Sequence, residues 1–524
     1  MQAKTQVEDI QAYLNDASNM QGGHASTVFL PESTNEISQI LKDAFQTNTP
    51  VTISGGRTGT VGGAIPFGGV VISLEKFNKI AIDKVSQTAT VGAGVILGDL
   101  QKAADAEGLF YPPDPTEWSC QIGGTVATNA SGARSFRYGA TREYVIGLKI
   151  ILSDGGLVNI SRDQIWSDEN GYLTLTTEGG RKISIKAPTY RRPDVRKNVS
   201  GYFTRSPLDA LDLFIGSEGS LGVIVEIDLK LLAKPSGFLS GIVFFEKEAD
   251  LLGFVEAGRR ISFEHRASNP DHNFINDPNS PSSCPDKQYE IENGPNGAVD
   301  IDATLIEYFD GEALKLIAGK FPETPEGMAG AIFFEQETVA ENEDRLLEQW
   351  NVLFEKFGAD LERSWFTTNE QDREKMRAFR HALPVTVNER IAKYKQRKVG
   401  TDMAVPDDKF PSFLSFYKEI LSTSGIDHVI FGHIGDCHLH ANLLPKNDEE
   451  AEIARHIYGR CVAQAIMLGG CVSAEHGIGK LKRKYLAAMM GERYLNEMAE
   501  LKKAFDPKGI LCRGNIFDEK YLAA

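Results

Sequence analysis

Within the first 235 residues, glycine-dense turns are set against short apolar runs, and no other feature limits the possible folds so strongly. Ser54-Gly-Gly-Arg-Thr-Gly-Thr-Val-Gly-Gly-Ala-Ile-Pro66 follows the strand-like Val51-Thr-Ile-Ser54 and places Gly55, Gly56, Gly59, Gly62 and Gly63 within nine positions, with Arg57 and Thr58 between them. Glycine reaches positive φ at no steric cost, so successive backbone N–H groups can converge into a nest for phosphate oxygens. An ordinary structural turn is the alternative. The run fits neither G-x-x-x-x-G-K-[ST] nor G-x-G-x-x-G. Gly92-Ala-Gly94-Val-Ile-Leu-Gly98 comes nearer to the second pattern, but its last spacing is one residue too long, so it reads as a strand-to-helix turn.

Further segments of the same kind follow. Tyr111-Pro-Pro-Asp-Pro-Thr-Glu-Trp118 contains Pro113 and Asp114, and Gln121-Ile-Gly-Gly-Thr-Val-Ala-Thr-Asn-Ala-Ser-Gly132 contains Gly123, Gly124, Thr128, Asn129 and Gly132. Prolines fix an extended path, and small residues let a flat ligand approach the backbone. Gly216-Ser-Glu-Gly-Ser-Leu-Gly-Val-Ile224 adds Glu218, Gly222 and Ile224 before another strand-like run. Taken singly, each could be structural.

At roughly 100–200 residues per domain, a chain of 524 residues predicts several domains. Residues 1–25 read as an N-terminal helix and 26–235 as a mixed α/β domain. From 236 to 470 longer strand–helix units suggest a sheet covered by helices on one face, with a ferredoxin-like arrangement as a candidate. The Pro-, Asn- and Ser-rich stretch 267–300 reads as an inserted loop, a lid being the functional alternative. The charge balance, 56 − 72 = −16, disfavours nucleic acid and anionic lipid as partners. Six scattered cysteines without a C-x-x-C pair give no spacing for a disulfide framework, a zinc ribbon or an iron–sulfur cluster. With no membrane-length apolar run and no signal-type segment, the expected location is the cytoplasm.

Chemistry-bearing side chains concentrate in Gly432-His-Ile-Gly-Asp-Cys-His-Leu-His-Ala-Asn442, read as a β-hairpin. Residues two apart on a strand share a face, so His438 and His440 can point to one site, with His433 arriving across the turn. Glu475 and His476, in Ser473-Ala-Glu-His-Gly-Ile-Gly479, offer a carboxylate and a neighbouring base. Such a set suits Zn(II), Fe(II) or Mn(II); a polar hairpin with hydrogen-bonded histidines is the plainer reading.

Taken in order, these motifs resemble the FAD-linked flavoenzyme family that includes vanillyl-alcohol oxidase and p-cresol methylhydroxylase. The similarity is greatest to its D-lactate, glycolate and D-2-hydroxyglutarate dehydrogenase branch, and it extends from about Ser26 to Phe517. It implies an α+β architecture: a two-part FAD-binding domain of the p-cresol methylhydroxylase type, a ferredoxin-like α+β cap, and a C-terminal segment, 471–524, returning to the FAD domain. By resemblance, the turn with Gly55, Gly56, Arg57, Thr58 and Gly59 binds the FAD pyrophosphate. The strips with Pro113 and Asp114, with Gly123, Gly124, Thr128, Asn129 and Gly132, and with Glu218, Gly222 and Ile224 surround the rest of the nucleotide.

The resemblance also implies that His433, His440 and Glu475 are metal ligands, that Asn442 contacts substrate and that His476 is the catalytic base. Where the family pattern has Gly-Asn after Asp436, this chain has Cys437-His438, which leaves His438 open as a further ligand. Arg380 and Lys398 match carboxylate anchors, and Lys197-Asn198 resembles a segment near the flavin. No histidine lies between His24 and His265, and Arg57 stands at the linkage position, so FAD is expected to be non-covalent. The implied reaction is oxidation of a D-2-hydroxy acid to the 2-oxo acid. An electron-transfer flavoprotein or a quinone would be the external acceptor, through which the protein could lie peripheral to a membrane; a homodimer is an open alternative. The rivals are a metal-dependent hydrolase with purely structural glycine loops and a non-catalytic FAD-binding subunit of a larger complex.

Overall fold

In a computed structural model the described residues are 2–269 and 300–523, so most of the insertion expected at 267–300 lies outside them. Three apolar runs rich in β-branched residues, with the polar edge strand Gln2–Lys4, form a four-stranded sheet in the order Gln2–Lys4, Thr27–Leu30, Val70–Ser73, Val51–Ser54. The last three strands run parallel, and the crossover between Thr27–Leu30 and Val51–Ser54 is the helix Thr34–Thr47. Ser33 caps that helix by accepting from Glu36 N, and Ile37, Ile40, Leu41 and Ala44 recur at helical spacing as its buried face.

The helix expected over residues 1–25 is short, one α-helical turn Val7–Ile10 followed by a 3-10 turn Gln11–Tyr13, and is preceded by the strand Gln2–Lys4. Past it, the Asp16 carboxylate accepts from Ser18 N at 2.9 Å. This local bond competes with helix continuation.

A second sheet is antiparallel, in the order Ile80–Asp83, Thr88–Gly92, Val223–Lys230, Val145–Ile151, Leu157–Ser161. The chain's end returns to the first sheet: Val51 N donates to Ile510 O at 2.8 Å and Cys512 N to Val51 O at 2.8 Å. Residues 510–512 thereby brace the strand that feeds the first glycine turn.

The third sheet has seven strands in the order Asp360–Thr367, Gly237–Phe245, Gly330–Thr338, Ala303–Asp310, His428–Gly432, His440–Leu443, Val399–Gly400. Helices cover both of its faces, which corrects the one-face expectation. Leu239, Val243 and Phe245 pack with Phe254 of helix Glu248–Ser268 and Trp350 of helix Glu343–Lys356. Their neighbours Ile242 and Phe244 pack with Leu314 of helix Gly311–Ile317 and Phe379 of helix Glu370–Lys393. A strand buried at nearly every position needs cover on both sides, and each large apolar side chain so buried contributes about 1.5–3 kcal/mol.

Candidate active site

A cavity of about 340 Å³ is walled by the segments singled out in the sequence. Gly55, Gly56, Arg57, Thr58 and Gly59 form one side; Gly123, Gly124, Thr128 and Gly132 form another; Glu218, Gly222 and Ile224 complete it. The glycines do two jobs. A Cβ on Gly123 would lie 2.7 Å from Ala93 Cβ, so this glycine lets helix Ile122–Thr128 sit close on its neighbour, whereas a Cβ on Gly59 or Gly124 would meet no protein atom within 4 Å. Their missing side chains leave room in the cavity itself, a cradle that fits a flat nucleotide cofactor.

Pro113, Asp114 and Asn129, expected on the same wall, do not line it. The backbone of Asp114 supports it from behind: a Cβ on Gly132 would lie 1.9 Å from the Asp114 carbonyl oxygen, and Pro115 and Thr116 reach the cavity instead. Asn129 ends the helix Ile122–Thr128 in the left-handed conformation and accepts from Arg142 N at 2.9 Å, a backbone role. The Arg57 guanidinium turns back onto Ser54 Oγ and Gly55 O and stacks 4.8 Å over the Tyr13 ring.

At one end of this cavity the hairpin of His428–Gly432 and His440–Leu443 meets the 473–479 turn. Glu475 Oε2 lies 3.2 Å from His433 Nε2, 3.5 Å from His440 Nε2 and 3.8 Å from His438 Nδ1. The outer nitrogens are held: His433 Nδ1 donates to Glu307 Oε1 at 2.6 Å and His440 Nδ1 to the Thr401 carbonyl at 2.9 Å. Fixing one nitrogen of each ring aims the other inward, the usual setting of a metal-binding imidazole. Burial opposes charge on His433, but Glu307 and Glu475 outweigh it and lift its pKa to about 8. Burial likewise opposes charge on Glu475; His433 and Lys197 outweigh it and hold the carboxylate well below its usual range. An ion at this point would find one carboxylate and up to three imidazoles, a donor set that fits Zn(II), Fe(II) or Mn(II).

His476 stacks on His440, with ring centroids 5.3 Å apart, and its Nδ1 lies 3.5 Å from Asp402 Oδ2. Desolvation depresses its pKa to about 3, which keeps the ring neutral. A second, smaller cavity of about 70 Å³ adjoins it, lined by Arg380, Thr116, Phe309, Pro384 and Phe431 together with His433, His440, Glu475 and His476. Arg380 donates to Glu307 Oε2 and to Thr116 Oγ1, both at 3.2 Å. Pro384, inside helix Glu370–Lys393, has no N–H to give the Arg380 carbonyl one turn earlier, so the helix loses a bond where it lines this cavity. Lys398 and Asn442 line neither cavity: Lys398 is exposed, and Asn442 is buried in the sheet, where its amide donates to His440 O.

Three residues the sequence did not single out, together with Lys197, which the resemblance placed only near the flavin, hold these parts together. Asp402, wholly buried, accepts from Glu475 N at 3.0 Å, His476 N at 3.1 Å and Ser473 Oγ at 2.7 Å. Lys197 donates to Glu475 Oε1 at 2.7 Å and to Gly132 O at 2.9 Å, and Ser131 Oγ donates to Glu475 Oε1 at 2.9 Å. These bonds tie the glycine wall to the carboxylate of the cluster. Glu307 joins His433 to Arg380. Glu218, expected only beside a nucleotide, accepts from Ile478 N and Gly479 N at 2.6 and 2.7 Å, clamping the turn that carries Glu475 and His476.

Residues 25–161 match the FAD binding domain family and residues 297–516 the FAD linked oxidases, C-terminal domain family. A D-lactate dehydrogenase of Anaerostipes hadrus is 31% identical over 502 residues, covering 92% of this chain and 88% of that protein. A D-2-hydroxyglutarate dehydrogenase of Xanthomonas citri pv. viticola is 28% identical over 531 residues, covering 99% and 94%. Among solved structures, an alkyldihydroxyacetonephosphate synthase shares the fold, with a TM-score of 0.62 at 15% identity over 97% of this chain and 81% of that one. The chain belongs to the FAD-linked oxidase family, in the branch of the D-2-hydroxy acid dehydrogenases. Among the described residues, no helix is long and apolar enough to cross a membrane.

Proposed function

We propose that this chain is an FAD-dependent dehydrogenase that oxidises a D-2-hydroxy acid to its 2-oxo acid with the help of a divalent ion. One observation carries the reading: His433, Glu475 and His476 line both cavities, so a flavin against the glycine wall and an acid beside Arg380 would meet at the cluster. Non-covalent FAD would rest on residues 55–59, 123–132 and 218–224, within a domain spanning 26–235. The cap would span 236–470, and 471–524 would return to the FAD domain. His433, His440 and Glu475 would hold Zn(II), Fe(II) or Mn(II).

Bound there, FAD would supply the acceptor for the hydride leaving the α-carbon, and the ion would supply a Lewis acid for the α-hydroxyl oxygen. Arg380 pairs with the substrate carboxylate, and its contacts with Glu307 and Thr116 set its direction. His476, with Nδ1 turned to Asp402, accepts the hydroxyl proton at Nε2. Asn442 and Lys398 take no part in this reading. No cysteine quartet is available in the sequence to pass electrons on, so an external acceptor is needed, with electron-transfer flavoprotein or a quinone as candidates and the cytoplasm or the membrane surface as the setting.

The small cavity also narrows the substrate. Arg380 is the one guanidinium or ammonium group among its described lining residues, and Phe309, Pro384 and Phe431 give it apolar walls. This suits a short monocarboxylate such as lactate or glycolate better than a dicarboxylate. Steady-state turnover of D-lactate, glycolate and D-2-hydroxyglutarate with an artificial acceptor tests it. A kcat/KM at least ~10-fold higher for a monocarboxylate is expected, and preference for the dicarboxylate would contradict it.

A further inference from the structure

His438 is wholly buried; its Nδ1 makes no hydrogen bond, and its Nε2 stands 3.4 Å from Asp402 Oδ1. A buried nitrogen left without a partner is costly, and a purely structural position would be filled more favourably by an apolar side chain. The ring also stands in a particular place. Its Nδ1 is 3.8 Å from the same Glu475 oxygen that His433 Nε2 and His440 Nε2 approach at 3.2 and 3.5 Å. Ligand atoms of His433, His438, His440 and Glu475 all lie within 4.8 Å of one another. Around an ion bonded at about 2.0–2.2 Å, neighbouring donors must lie roughly 3–3.5 Å apart, close to the separations found here.

The orientation of the ring agrees. Glu307 stands behind the outer nitrogen of His433, and the Thr401 carbonyl behind that of His440. Behind His438 stands Asp402, with Oδ1 at 3.4 Å from Nε2. Each imidazole thus has an acceptor on its far side and a nitrogen facing one point, as metal-bound histidines do.

We propose that His438 is a fourth protein ligand of the divalent ion, binding through Nδ1 with Asp402 behind it. The proposal rests on the reading that His433, His440 and Glu475 hold a metal. It has a consequence for the ion: with three imidazoles and a carboxylate already bound, a metal that also takes the substrate hydroxyl must accept at least five ligands.

The test uses the full-length, FAD-loaded protein stripped with a chelator and reloaded with Co(II). X-ray absorption on the wild type counts the imidazoles; three are expected, and two would overturn the assignment while leaving the metal reading intact. Equilibrium dialysis then compares the wild type with His438→Asn and His438→Gln. Co(II) affinity should fall ~10-fold or more in both, with FAD content as the check on folding; unchanged affinity would overturn the assignment. If the variants fail to fold, the imidazole count in the wild type decides alone. A wild type that binds no Co(II) overturns both this assignment and the metal reading.

Discussion

The glycine wall and the histidine cluster share an edge but are made of opposite materials. The wall is backbone: its shape comes from left-out side chains, as at Gly59 and Gly124, and from close packing, as at Gly123. The cluster is side chain: His433, His440 and Glu475 each depend on a partner that fixes its direction or its charge. A wall of this kind should tolerate loss of any one polar group, whereas the cluster should fail whenever one member loses its support.

The largest effect is expected where the cluster touches the chemistry. His476→Ala should slow flavin reduction by ~10²- to 10⁴-fold with FAD content unchanged, as read by anaerobic stopped-flow absorbance; a rate near wild type would remove His476 as the base. Next comes Lys197→Met, which leaves the Glu475 charge buried without its closest cation. Unfolding in denaturant should then show a loss of ~3–5 kcal/mol, and a loss below ~1 kcal/mol would mean that the pair carries little. Glu307→Gln weakens the support of both His433 and Arg380, so metal affinity by dialysis should drop ~10- to 100-fold. The smallest effect on the fold belongs to the wall. Gly124→Ala should change stability by no more than ~1 kcal/mol while lowering FAD occupancy, and full occupancy would place the cofactor elsewhere.

The contrast between wall and cluster also governs what the sequence reveals. Glycine-dense turns after apolar runs are legible because few other residues permit such backbones, and residues 55–59 with Gly123, Gly124, Thr128 and Gly132 do line one cavity. His433, His440 and Glu475 are legible because imidazoles are scarce and their strand spacing is informative. The supports are not. Glu307 and His433 are 126 positions apart and Lys197 and Glu475 are 278 apart, so their pairing exists only after folding. Single acidic and basic residues are common on any surface, and nothing local distinguishes Asp402 from them. The same ambiguity misplaced Lys398, which is exposed, and Asn129, whose left-handed backbone serves a helix end. Strand–helix alternation likewise shows that helices cover the third sheet but not on which face. That is settled by residues such as Ile242 and Val243, which point to opposite cores.

The central claim is that substrate beside Arg380 and flavin against the glycine wall meet at His476. Anaerobic mixing of the purified FAD-loaded protein with matched D- and L-2-hydroxy acids, in wild type and His476→Ala, tests it directly. The account predicts rapid loss of the yellow flavin absorbance with a D-acid, none with its L-enantiomer, and a strongly slowed loss in the variant. Flavin that stays oxidised with every acid, or bleaches equally fast in the variant, would contradict it.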